Sequence, residues 1–408
     1  MSVHATRFRL AAAAAFAVLA APLAPSPADA CTTAIVAPSA SRSGRPMLWK
    51  NRDADGSDNQ VVYLADGRYP YVGVVNRGDA AGLQVWAGIN STGFGVMNSA
   101  SYNLESGDTA GEGTFMKLAL QSCATVDDFE ALLARSNSGG RDVSANFGVI
   151  DAKGGAAVFE TSAKGYVRVD AAPSGDGARG LLVRSNYSHS GTKGSGSGFL
   201  REARAIELLG SSTAGGLDLA TILRAARDVG NAGIGQTGEE SGPPLVYTGD
   251  SICRLDTVAA IVLEAPAPGE GPEAGALWIV PSLPLAGAAV PVFPHAGAVP
   301  APLAAGRGPA PLAARALELR KRLFPDTRGE KKRYMDRRAL AALKARSLPG
   351  LLAAEEATRA EVEAAREAWR RSRPAPADAA KLSASAAARA LAAGEAAVAA
   401  VAKELGEP

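Results

Sequence analysis

Cys31 stands directly after Ala28-Asp29-Ala30, a small-x-small run of the kind that signal peptidase reads. Upstream lie the other parts of a secretory leader: Arg7 and Arg9, an apolar alanine-rich run over 10–20, and breakers at Pro22, Pro25 and Pro27. That run is too short to span a bilayer stably, so residues 1–30 read as a signal peptide and the protein as secreted or periplasmic. Cleavage after Ala30 places a thiol and a free α-amine on one residue. The thiolate is the attacking form, and a thiol with a pKa of about 8.5 is mostly protonated at neutral pH. An α-amine titrating near ~7.7 can take the thiol proton directly or through one water. The pairing needs no histidine, and past the leader the chain has only His189 and His295.

Cys31 also has inert readings: a structural thiol beside a cleavage site, a disulfide partner, or a lipoprotein cysteine capped by lipid. Lipoprotein sites usually carry Leu near the third position before the cysteine, where this chain has Ala28 followed by Asp29. The other cysteines are Cys123 and Cys253. They could form one disulfide in an oxidising compartment or pack as two separate small hydrophobes. A net charge of +2 and 21% charged residues point to neither nucleic acid nor an anionic membrane as the main partner. Past the leader no apolar run reads as a membrane span, so no stable membrane insertion is expected. There is no CxxC pair or HExxH, so no metal is expected, and GTKGSGSG (191–198) lacks the Walker spacing and reads as a mobile loop. No cofactor is called for.

The elements that must position Cys31 follow from periodicity. CTTAIVA, RPMLWKN, QVVYLAD, YVGVVN, LQVWAGIN and FGVMNSA read as short strands separated by Gly, Asn, Asp and Ser. Helices are expected over 113–123 and 125–135, the second opened by Thr125 with Asp127 and Asp128 in its first turn. Strands return in NFGVID, AAVFET, YVRVD and GLLVRSN. FLREARAIELLG and LDLATILRAARDV are helical, and VAAIVLE and GALWIVP close the set as strands. Strands, helices, strands and helices in turn suggest an α+β sandwich of two sheets flanked by helices. A Pro/Ala/Gly stretch over 284–313 marks a boundary. The reading is a domain over 31–297 and a Pro/Ala-rich linker with a helical extension over 298–408. The extension has two or three helices interrupted at Pro325, Pro349 and Pro374. Its basic run KKRYMDRR reads as a solvated helix face rather than an anion-binding surface.

CTTAIV followed by LWKNRD resembles the start of the penicillin-acyltransferase and choloylglycine-hydrolase group of N-terminal-nucleophile hydrolases. In that group a terminal Cys is followed by a strand ending in Arg-x-x-Asp. The matching frame here is Lys50-x-x-Asp53, with lysine in the arginine position and Arg52 two residues on. A lysine cannot make arginine's planar fork, so either Lys50 or Arg52 is the candidate site cation. The resemblance makes Asp53 the acid that hydrogen-bonds and orients the terminal amine. AGINSTGFGVMNSASYNL resembles the group's glycine-rich hairpin, with Asn98 the match for an oxyanion-hole asparagine. ANFGVIDAKGGAAVFET and GLLVRSNYS lead to Asn186 as the second site asparagine, and FLREAR offers Arg201. The resemblance covers about 31–265 and implies a four-layer α-β-β-α sandwich with Cys31 opening a central strand. Read without it, Asn90, Asn98 and Asn103 sit among Gly and Ser, where asparagine caps turns. His189, three residues past Asn186, lacks the neighbourhood of a Cys-His protease and reads as a surface or site-rim residue.

These readings combine into an exported cysteine amidase cleaving linear C–N amide bonds of N-acyl compounds, penicillin-like amides or short peptides. The reaction runs through a thioester on Cys31, with fixed donors such as Asn98 and Asn186 holding the oxyanion. Two alternatives stay open: an acyltransferase that passes the acyl group to an amine, and a lipid-anchored binding protein without catalysis.

Overall fold

The computed structural model describes residues 30–55, 58–105, 111–172, 179–210, 215–230 and 244–407, so the expected leader lies outside the described residues apart from Ala30. Strands β1 (Thr32–Val36), β2 (Met47–Asp53), β3 (Asn59–Leu64), β4 (Tyr71–Asn76), β5 (Ala87–Asn90) and β6 (Gly95–Ala100) come first. Helices α1 (Glu112–Ser122) and α2 (Val126–Ser136) follow, then β7 (Ala145–Ile150), β8 (Ala156–Thr161), β9 (Tyr166–Asp170) and β10 (Leu181–Arg184). Next are α3 (Phe199–Gly210), α4 (Leu219–Ala226), β11 (Leu245–Tyr247), β12 (Thr257–Glu264), β13 (Ala276–Pro281) and β14 (Val290–Val292). The C-terminal part holds α5 (Pro311–Leu323), β15 (Tyr334–Asp336), α6 (Arg337–Ala342), α7 (Leu348–Trp369) and α8 (Pro376–Leu405).

Two large antiparallel sheets result, one ordered β10-β1-β2-β12-β13-β14 and the other running from β3 to β9 in chain order. Alternation along each strand sorts side chains into layers. On the first sheet Ile35, Leu48, Ile261 and Ile279 face Val72, Ile89, Met97 and Val158 of the second, which makes the central core. The opposite face of the first sheet, with Ala34, Trp49, Val262 and Trp278, is covered by Ala205 and Leu209 of α3 and Ile222 and Leu223 of α4. The opposite face of the second sheet packs Phe147, Val149 and Phe159 against Met116 and Leu120 of α1 and Phe129 and Leu133 of α2. The expected four-layer α-β-β-α sandwich with a helical C-terminal region is therefore the observed architecture. Thr125 caps α2 through a reciprocal box: its hydroxyl accepts from the Asp128 amide at 3.1 Å, and the Asp128 carboxylate accepts from the Thr125 amide at 3.0 Å.

The C-terminal part departs from its sequence reading in several ways. It packs onto the sandwich: Leu312, Leu319, Leu343, Leu351 and Ala390 share the central cluster with both sheets, while Val362 and Ala379 join the outer face of the first. The buried pair Arg227–Glu355 (2.6 Å) ties the end of α4 to α7. KKRYMDRR is not a helix face. Residues 329–333 form a 3₁₀ turn and Tyr334–Asp336 is a strand that pairs with β11, because Tyr247 and Tyr334 meet across the ladder there. Pro349 does not interrupt a helix. It lies in the first turn of α7, where its missing N–H removes no intrahelical bond, and a π-turn over 343–347 carries the chain in from α6. Strand β14 escaped the sequence reading because of Pro291, which an edge strand accommodates. Contrary to the expectation that no later run would be long and apolar enough to cross a membrane, α8 is, by length and hydropathy alone. Its alanines raise the mean hydropathy, and Ala386, Ala390, Ala397 and Val401 are buried against the rest of the protein.

Candidate active site

Cys31 precedes the first residue of β1, a strand held between β10 and β2. Thr32 pairs with Asn51 and Thr33 with Lys50. Continued past Thr32, this register sets Cys31 against Arg52 and Ala30 against Asp53. Alternation then puts Cys31 and Thr33 on the same face as Ile35, toward the second sheet. Cys31 is buried, as are Asp53, Asn98, Asn186, Lys50 and Arg201.

Arg201, in the first turn of α3, grips the nucleophile's residue directly. Its Nη1 donates to the Cys31 carbonyl at 2.6 Å and to Thr32 Oγ1 at 3.0 Å, and its Nη2 donates to Asn186 Oδ1 at 2.8 Å. The Asn186 amide in turn donates to the Ala100 carbonyl at 3.0 Å, tying this group to the end of β6. The guanidinium reaches this position because residue 198 is glycine: a Cβ there would stand 2.4 Å from Arg201 Nη2. Burial draws the Arg201 pKa down to about 10, the nearby Arg254 pushes the same way, and Asp53 opposes both.

Asp53, at the end of β2, pairs across the sheet with Thr257. Arg254 Nη2 approaches its Oδ2 to 2.7 Å, but out of line for a hydrogen bond, so neither carboxylate oxygen has an aligned donor among the described residues. Burial pushes the Asp53 pKa up, while Arg254 and Arg201 pull it back. Arg254 also donates to the Ala30 carbonyl and to the Gly249 carbonyl, each at 3.0 Å. A buried carboxylate lacking donors, set opposite Ala30 and beside the Ala30–Cys31 peptide, has room for one more hydrogen bond.

Lys50 and Arg52 both project from β2 toward the second sheet but do different work. Lys50 Nζ donates to Asn98 Oδ1 at 2.6 Å and to the Trp86 carbonyl at 3.0 Å. An ammonium only donates, so the Asn98 oxygen must face it, which leaves the Asn98 NH₂ turned away as a donor. Arg52 is held by Asn59 and Asn76 and lies over the Trp86 ring at 4.9 Å. The cation that meets Asp53 is neither of them; it is Arg254, which the sequence reading missed. Its only signal was an arginine three residues before an apolar strand, and the β2–β12 register that brings it to Asp53 is a tertiary fact. Asn146 was missed as well. Its amide donates to the Ser185 and Tyr187 carbonyls at 3.3 and 3.0 Å, latching the chain around Asn186 to β7.

The remaining candidates serve the scaffold. Asn90 caps the β5–β6 turn and donates to the Leu120 and Cys123 carbonyls. Asn103 clamps Ser188 and Thr192. His189 is half-buried with Nε2 2.8 Å from Glu202 Oε1, a contact that raises its pKa. Cys123 and Cys253 are separate free thiols, and burial pushes them up to about 11 and about 12. At such values they remain protonated and unreactive. Among the described residues no group of three or more His, Cys, Asp or Glu is placed to hold a metal ion.

No protein-family profile matches the chain, and no curated protein sequence matches it. Solved structures do. A variant of the conjugated bile acid hydrolase from Clostridium perfringens is similar at 13% identity and a TM-score of 0.39, over 62% of this chain and 89% of that one. A Caenorhabditis elegans orthologue of N-acylethanolamine-hydrolyzing acid amidase is similar at 15% identity and 0.38, over 59% and 93%. Penicillin V acylase from Agrobacterium tumefaciens is similar at 12% identity and 0.38, over 64% and 86%.

Proposed function

We propose that the protein is an exported cysteine amidase whose nucleophile is Cys31 at a processed N-terminus. The observation that carries this is the Asp53 carboxylate, buried with no aligned hydrogen-bond donor beside the Ala30–Cys31 peptide. Once residues 1–30 are removed, the new α-amine supplies the missing donor, and Asp53 orients it. The Cys31 thiol proton passes to that amine while Sγ attacks the amide carbon. The tetrahedral oxyanion takes a hydrogen bond from the Asn98 NH₂, whose orientation Lys50 fixes. The C–N bond then breaks as the α-amine returns the proton to the leaving nitrogen. Water adds to the thioester, giving up its proton to the same amine, and the acid leaves as Sγ regains a proton. Arg201 acts as a positioning residue by fixing the Cys31 carbonyl and Asn186 together.

The test is turnover of a panel of N-acyl amides by the exported protein and by its Cys31→Ala variant. The account expects the variant to fold and to lose at least roughly 10³-fold in kcat/KM, the range seen when a nucleophile is removed from an acyl-transfer site. Equal turnover by the two proteins would remove Cys31 from the chemistry.

A further inference from the structure

Beside Ala30 lies a pocket of about 140 Å³ whose walls include Ala30, Ser197, Arg254, Asp256, Lys332 and Arg333. Three of these residues bind it to the candidate site: Ala30 precedes the nucleophile, Ser197 bridges to Asn186, and Arg254 meets Asp53. Two others, Lys332 and Arg333, come from the C-terminal region. They are held there by β15 and by the Arg333 carbonyl, which accepts from the Thr248 amide at 2.7 Å.

On the proposed mechanism, the position of the leaving group follows from the proton transfer. The α-amine returns a proton to the leaving nitrogen, so that nitrogen must come within hydrogen-bond reach of the Cys31 amine. The space next to that amine is the space Ala30 fills before processing, and Ala30 is buried there. Removing Ala30 therefore joins its volume to the pocket. It also takes away the carbonyl that Arg254 Nη2 bonds at 3.0 Å. Arg254 Nε is already buried without an acceptor. A guanidinium with vacated N–H groups accepts a carboxylate readily.

The other charges on the wall favour the same group. Asp250 and Asp256 also line the pocket. Asp256 is 3.6 Å from Lys332 Nζ, and Asp250 accepts from the Tyr247 hydroxyl at 3.2 Å. Arg333 Nη1 lies 3.3 Å from Glu330 with both side chains well exposed, a pairing that water weakens. Resting on the amidase reading, we infer that this pocket is the leaving-group subsite, and that Arg254, Lys332 and Arg333 select an amine bearing a carboxylate. The substrate class is then N-acyl amino acids, and the C-terminal region completes the site.

The experiment uses the exported protein beginning at Cys31 and matched amides that differ only in charge: N-octanoylglycine against N-octanoylglycinamide, and the phenylacetyl pair likewise. Expected is a kcat/KM ratio favouring the glycine amide by roughly tenfold, the size of one charge-assisted hydrogen bond. In a Lys332→Ala/Arg333→Ala protein the ratio falls toward one through KM for the charged substrate. Arg346→Ala, whose partner Glu404 lies on the helical layer, keeps the wild-type ratio. A parallel titration by calorimetry on Cys31→Ala protein reads binding without turnover. Cleavage of both members at equal kcat/KM, or a ratio the double variant does not move, overturns the subsite and leaves the amidase reading standing. Charge-selective binding that depends on Lys332 and Arg333, with no cleavage of any amide, supports the subsite and overturns the amidase reading. Neither binding nor cleavage overturns both.

Discussion

Replacing Arg201 by methionine removes a buried cation at nearly constant volume, and its consequences can be worked out from the site. Three hydrogen bonds disappear, at 2.6, 3.0 and 2.8 Å, leaving the Cys31 carbonyl and Asn186 Oδ1 without that donor. Breaking one partner out of a buried charged group costs roughly 3–5 kcal/mol. That is a large share of the ~5–15 kcal/mol that holds a typical protein folded. The effect on rate is separate: a nucleophile that drifts by ~1 Å loses on the order of 10² in kcat/KM. A third effect has a definite sign. Burial already raises the Asp53 pKa above its ordinary 3.8, and Arg201 is one of two cations holding it back. Arg201→Met raises it further. A carboxyl whose folded pKa is raised contributes stability below its unfolded value and loses it as pH climbs through the folded value. The penalty of the variant must therefore grow from about pH 4 toward about pH 7 and shrink in acid. Urea unfolding at those two pH values, with kcat/KM alongside, reads all three effects. A variant within about 1 kcal/mol of wild type, or one with its larger penalty in acid, would refute the reasoning.

Other outcomes follow from the same geometry. Native-state thiol labelling near neutral pH should modify Cys31 alone, because burial holds Cys123 and Cys253 near about 11 and about 12; rapid labelling of more than one thiol per chain contradicts this. Lys50→Met frees the Asn98 amide to rotate and should lower kcat by roughly 10²–10³ with a smaller change in KM, so an intact kcat would show that Asn98 holds no oxyanion. Glu355→Gln breaks the buried pair to Arg227 and should cost roughly 3–5 kcal/mol within a single unfolding transition. Two separate urea transitions in that variant would mean that the C-terminal helices are not part of the common core.

Much of the fold was legible because each strand announces itself by alternation and punctuation, and each helix by a cap. FLREARAIELLG gave Phe199–Gly210 without adjustment, and Thr125 with Asp128 gave the start of α2. The strands that escaped, β11, β14 and β15, are three residues each, too short for a period, and Pro291 argues against a strand unless the edge position is known. At the site, Cys31 was legible because a cleavage signal and a nucleophile coincide in sequence. Asp53, Lys50, Asn98, Asn186 and Arg201 came from motif order, and the structure brings Asp53, Asn186 and Arg201 around Cys31, with Lys50 and Asn98 paired nearby. Arg254 was not legible. Its role depends on β12 lying antiparallel to β2 with Thr257 opposite Asp53, a pairing between segments some two hundred residues apart in sequence. Likewise, nothing local in KKRYMDRR tells a strand that walls a pocket from a solvated helix face.

The central claim is a free thiol and a free amine on Cys31 acting as one catalytic unit. Its most direct test is mass spectrometry of the exported protein, intact and after acid quench during turnover of an N-acyl amide. The account predicts an N-terminal peptide beginning Cys-Thr-Thr, unmodified at rest and carrying the acyl group as a thioester during turnover. A terminus elsewhere, a lipid on Cys31, or an acyl group that never appears on this peptide would contradict it.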